Sequence, residues 1–185
     1  MSSVCPQSQH PTVLPGKPEE VETSKNQSSL CAASEDGQID VVRSLLEQGA
    51  DVDETDSLRQ TALAVASING KLQVAELLIE HGADVNSRDT DGRTPLHMAS
   101  GSGHLDVVRL LLGHNADLNA STRSLRTALS IASRNGHIEI VELLLDRGAN
   151  ATTRNVFGRT PAQEALVHRH TRVSEILAQH AAHKT

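Results

Sequence analysis

A fixed period of 33 residues runs through this chain and restricts it to folds built from repeated units. Gly37, Gly70, Gly103 and Gly136 keep that interval, and so do Leu30, Leu63, Leu96 and Leu129. Thr61, Thr94, Thr127 and Thr160 follow it, as do Gly49, Gly82, Asn115 and Gly148. The best-formed copy is Thr90 to Thr122. Thr94 has the side chain of a helix N-cap, and Pro95 follows at the first helical position, where its missing N–H costs nothing. Leu96 and Ala99 share one face, and Gly103 can end the helix in a left-handed conformation. A second helical pattern runs through Leu105, Val108, Leu111 and Leu112, and Asn115 can close it. Neither helix is long enough to stand alone in water, so each must be buried against a neighbouring copy.

Thr94-Pro95-Leu96-His97-Met98-Ala99, the 33-residue period and the closing Gly82-Ala83-Asp84-Val85-Asn86 together resemble the ankyrin repeat. The resemblance spans roughly residues 29 to 180. It implies an all-α solenoid of antiparallel helix pairs with short β-hairpin-like fingers. It also implies a partner-binding concave face, and hydrogen bonds from His97 to the next finger.

The chain divides into a tail over residues 1–28, an ankyrin-like domain over 29–180 and a short tail over 181–185. Repeats are expected near 29–56, 57–89, 90–122, 123–155 and 156–180. The first tail holds Pro6, Pro11, Pro15 and Pro18 among many polar residues, a composition that predicts disorder. Repeats two and four carry Arg59 and Leu125 where repeat three has Gly92. If Gly92 takes positive φ, those two residues cannot follow cheaply, and their fingers are expected to differ in shape. Repeat five opens on Gly158-Arg159-Thr160-Pro161 and then decays: Arg169 replaces the helix-ending Gly. With His168, His170, Arg172 and Glu175 turned to water, it reads as the C-terminal cap.

Aromatic content is 1 %, with Phe157 alone and no Trp or Tyr. Stacked small helices can manage on Ala, Leu, Ile and Val, whereas globular cores rely on aromatics for buried area. Cys5 and Cys31 cannot make a disulfide framework, which suits a reducing compartment. No apolar run has the length of a membrane span and no secretory signal opens the chain, so cytoplasmic or nuclear residence is expected, with no membrane contact. The net charge of −6 speaks against direct nucleic-acid binding. It is uneven: residues 29–89 carry a balance of −8 and residues 122–185 one of +4, giving an acidic end and a basic end.

No phosphate-cradling loop or paired-cysteine site is present, and Gly101-Ser102-Gly103 falls at a helix end, with no strand before it. No enzyme activity and no cofactor are expected. His168, His170, His180 and His183 leave a metal-dependent protein as one alternative reading. Function is expected to lie in surfaces. In the ankyrin-like stack that the resemblance implies, the 33-residue offset puts Ile68 and Asn69, Gly101 and Ser102, and Arg134 and Asn135 on successive rungs of the inner face. It puts Leu58, Asp91, Arg123 and Phe157 at finger tips, and Arg93, Arg126 and Arg159 in a row at finger bases. Arg123, Arg126, Arg134, Arg154 and Arg159 are expected to converge, with Arg126 and Arg134 exposed. Such a group suits carboxylates or phosphates. Phe157 is either an exposed anchor or folded back onto the last helix pair. The whole reads as a monomeric, non-catalytic adaptor or scaffold holding another protein through an acidic or phosphorylated segment. A stoichiometric inhibitor or regulatory subunit is the other protein-binding alternative.

Overall fold

The structure is a computed structural model and describes residues 29–182. The tail expected over residues 1–28, and residues 183–185 of the second tail, lie outside the described residues. Among the described residues ten helices succeed one another: α1 (Leu30–Asp36), α2 (Ile39–Glu47), α3 (Ala62–Ile68), α4 (Leu72–Glu80), α5 (Pro95–Ser102), α6 (Leu105–Gly113), α7 (Ala128–Asn135), α8 (Ile138–Asp146), α9 (Pro161–Val167) and α10 (Thr171–Ala182). The last helix passes the expected boundary at residue 180 by two residues. Odd-numbered helices pack side by side in one layer, and even-numbered helices form the second layer behind them. The result is an all-α solenoid of stacked helix pairs.

Helices α3, α5, α7 and α9 start where the threonine period places them, and α1 starts after Ser29. Thr61 and Thr127 accept from the backbone N–H groups of Ala64 and Ser130, both at 3.3 Å. Ala33, Ala66, Ala99, Ala132 and Ala165 are buried along the first layer, where a bare methyl lets neighbouring helices approach closely. Leu63, Leu96 and Leu129 fill the space beneath, and Leu78, Leu111 and Leu144 do so from the second layer.

The fingers are tight hairpin-like turns. Asp89 N–H donates to the Arg93 carbonyl at 3.0 Å, while the Asp89 carboxylate accepts from the N–H groups of Asp91 and Arg93 at 2.9 and 2.8 Å. Asp56 repeats this with Leu58 and Gln60, both at 2.8 Å, and Asn155 with Phe157 and Arg159 at 2.9 and 3.1 Å. Successive tips are tied by backbone bonds, from Thr90 to Leu58, Arg123 to Asp91 and Val156 to Ser124.

The two fingers without Gly keep the common shape, against the sequence expectation. Arg59 and Leu125 sit at φ 58° and 56°, beside Gly92 at 74° and Gly158 at 72°. Side-chain caps and ties between tips hold the turn, and the misfit residue bears the strain with its side chain exposed. A left-handed non-glycine costs about 1–2 kcal/mol, part of which glycine returns as unfolded-state entropy. Leu125→Gly is therefore expected to raise stability by about 0.5–1 kcal/mol, read as a higher urea midpoint.

Candidate protein-binding site

Four lines of side chains recur along the odd-helix layer and its fingers, one member per repeat. Val65, Met98 and Ile131 stand on the odd helices, and Ile68, Gly101 and Arg134 lie one turn further on. Arg93 and Arg126 approach from the finger bases, and Ser102 and Asn135 lie at the helix ends. At Gly101, between Ile68 and Arg134 on this line, Ile131 packs where a side chain would stand: a Cβ would lie 3.0 Å from its Cγ2. A hollow of about 260 Å³ is lined by Ile68, Arg93, Met98, Ser102, Arg126, Ile131, Arg134 and Asn135, with His97 and Gly101.

His97 fixes one wall. Thr94 N–H donates to Nδ1 at 3.1 Å, so the ring proton is on Nε2, which donates to the Arg126 carbonyl at 3.1 Å. Burial pushes this imidazole below its ordinary pKa and keeps it neutral, outweighing the carbonyl that favours the charged form. The expected bridge from His97 to the next finger is present, and it holds the residue whose guanidinium lines the hollow.

The arginine row does not behave as one unit. Arg93 is bound to Asp89 at 2.7 Å, a carboxylate whose side chain is only 1 % exposed. One period on, Thr122 stands at that position, and it can hold the finger (Arg126 N–H to Oγ1, 3.2 Å) but cannot neutralise Arg126. Arg126 Nε is covered and meets no acceptor. In repeat five Arg159 turns to the Phe157 ring, 5.7 Å from its centroid, and to Glu164 at 3.8 Å. Arg154 donates to the Gly158 carbonyl at 2.7 Å, and Arg123 is exposed at a tip. The expected convergence of five arginines is thus reduced to Arg126 and Arg134, with neutralised Arg93 beside them. Both are half-buried, where exposure was expected. Helix packing covers their stems.

The remaining candidates divide between two places. Ile68 also borders a neighbouring hollow of about 440 Å³, shared with Asn69, Cys31, Glu35, Asp56 and Gln60. The Cys31 thiol there is pushed up to about 11, first by burial and then by Asp56 and Glu54, so it stays protonated and is no nucleophile. At the tips, Leu58 and Phe157 are 53 % and 66 % exposed, so Phe157 is not folded back onto the last helix pair.

Sequence reasoning missed Met98 and Ile131 as the floor of the hollow, although the 33-residue offset relates them directly. It also missed Glu164, which stands on that line in repeat five, 1 % exposed, and accepts from Asn155 Nδ2 at 2.6 Å. His168 lies between it and the hollow, accepting from Arg134 Nε at 3.1 Å. Among the described residues no three His, Cys, Asp or Glu side chains converge as a metal site, and His183 lies outside them. His170 is spent on packing over Gly136, half-buried where exposure was expected.

Models of ankyrin repeats match residues 29–122 as three copies and residues 113–165 as many copies. This chain belongs to the ankyrin-repeat family. Ankyrin repeats are generally non-catalytic modules for binding other proteins. No curated protein matches the chain. Among the described residues of this ankyrin stack, no helix is long and apolar enough to cross a membrane.

Proposed function

We propose that this ankyrin stack is an adaptor that holds one partner protein, with an acidic or phosphorylated segment of that partner laid along the concave face. One observation carries the reading. Arg126 and Arg134, from adjacent structural units of repeat four, flank one hollow without an ion-pair partner among the described residues. Guanidinium groups present a rigid two-pronged donor to carboxylate or phosphate oxygens. Residues 122–185, which carry them, have a surplus of +4, which steers an acidic segment toward this end. Exposed Leu58, Leu125 and Phe157 at the tips offer apolar contacts beside the groove, in the manner of interface anchors.

Arg126→Glu combined with Arg134→Glu is expected to weaken capture of that partner by about 10-fold or more in a pull-down titration. Because both side chains are half-buried, a circular-dichroism melt accompanies the titration. Unchanged affinity in a folded double variant rules out this face as the binding surface.

A further inference from the structure

The charge count in the Gly101 hollow goes further than a general preference for acidic partners. We infer that the hollow is a subsite for one phosphorylated side chain of an extended partner segment, held between Arg126 and Arg134. This rests on the concave-face reading above and names the group that the face selects.

Three arginines border the hollow. Arg93 is cancelled by buried Asp89, and its second carboxylate, Asp91 at 3.5 Å, is 68 % exposed and screened by water. Arg126 and Arg134 remain, and no carboxylate pairs with either among the described residues. The nearby Glu164 is already engaged by Asn155 and Arg159. Arg134 is held through Nε by a histidine nitrogen acting as acceptor, which orients the guanidinium and leaves its charge uncompensated. Two positive groups therefore face one opening. A carboxylate brings one negative charge to them, whereas a phosphoryl group brings about −1.5 to −2 at neutral pH and three acceptor oxygens. Only the second matches both guanidiniums.

The walls favour the same ligand. Met98 and Ile131 form an apolar floor, which lowers the local dielectric response and strengthens charge pairing at the rim. At Gly101 no side chain stands between Ile68 and Arg134, and the Ile131 methyl closes on the backbone there, extending the apolar floor. His97 holds the Arg126 carbonyl and so fixes that residue's main chain, while His168 holds the Arg134 guanidinium through its Nε. Paired arginines preset in this way are the usual means of reading a phosphorylated residue.

The test uses the full chain and immobilised degenerate peptide libraries with a fixed central residue: phosphoserine, phosphotyrosine, glutamate or serine. Retention of a phosphorylated library at least about 10-fold above the glutamate and serine libraries is expected. Arg126→Gln and Arg134→Gln are each expected to remove most of that advantage, and Arg126→Lys to restore part of it through charge alone. Equal retention of glutamate and phosphorylated libraries overturns the inference in favour of a carboxylate subsite. No retention of any library also overturns it. A partner captured through Arg126 and Arg134 that still binds after phosphatase treatment sinks the phosphoryl assignment and leaves the concave-face reading standing.

Discussion

Leu111→Ala is expected to lower the free energy of unfolding by about 2–5 kcal/mol, the largest loss of any single truncation considered. Leu111 lies on α6 and is fully buried in the continuous apolar core. Helix α6 packs against α5 within its own repeat and against α4 and α8 on either side. Removing one methine and two methyl carbons from that junction loses their transfer energy and leaves a cavity that three packed helices cannot all move to fill. The effect spreads beyond repeat three, because a stack is stabilised by neighbour interfaces and this residue sits at the middle one. Urea unfolding followed by circular dichroism reads the change as a lower midpoint. A lower slope as well would mean that the two ends of the stack begin to unfold separately. Leu110→Ala, a half-buried neighbour on the same helix, is the control and is expected to cost clearly less. A negligible midpoint shift for Leu111→Ala would mean that this side chain is not in the core.

The frame of the molecule was legible because its signals are local and periodic. Thr94 with Pro95 starts a helix by backbone chemistry alone, and 33-residue spacing then carries that start to Thr61, Thr127 and Thr160. Asn115 standing in for Gly82 was equally readable. Nothing approaches a Cβ at Gly82, so a residue that tolerates left-handed φ fits there, and Asn115 takes φ 63°. The core face of α6 was drawn too narrow. Leu105 and Leu112 were placed on it but are only partly buried, while Val107 is buried fully, because a helix flanked on both sides buries more than one stripe.

The binding face was harder to read because it depends on what each side chain meets. Arg93 and Arg126 are identical by offset, yet one is neutralised by Asp89 and the other faces Thr122. That difference was available in the sequence four residues upstream of each arginine, but only the finger geometry gives it a meaning. The misjudged fingers at Arg59 and Leu125 have a related cause. Local preference disfavoured the turn, and capping side chains with neighbouring tips overrode it.

Gly70→Ala is expected to cost about 2–4 kcal/mol, from two separable sources. The first is conformational: Gly70 has φ +65°, where an alanine is disfavoured by about 1–2 kcal/mol. The second is steric, because the new Cβ would stand 2.4 Å from Nδ1 and 2.6 Å from Cε1 of His104. That ring lies across the glycine from the next repeat, and its Nε2 donates to the Ile68 carbonyl at 3.1 Å. To make room it must swing away and lose a hydrogen bond of about 0.5–1.5 kcal/mol together with its packing. Arg169 holds the equivalent position of repeat five at φ 65° and bears only the first cost, since its side chain is exposed. A double-mutant cycle separates the two. In a His104→Ala background the glycine substitution should cost only its conformational share, and the remainder should appear as coupling between the residues. Equal costs in both backgrounds would show that ring packing over the glycine does not join repeat two to repeat three.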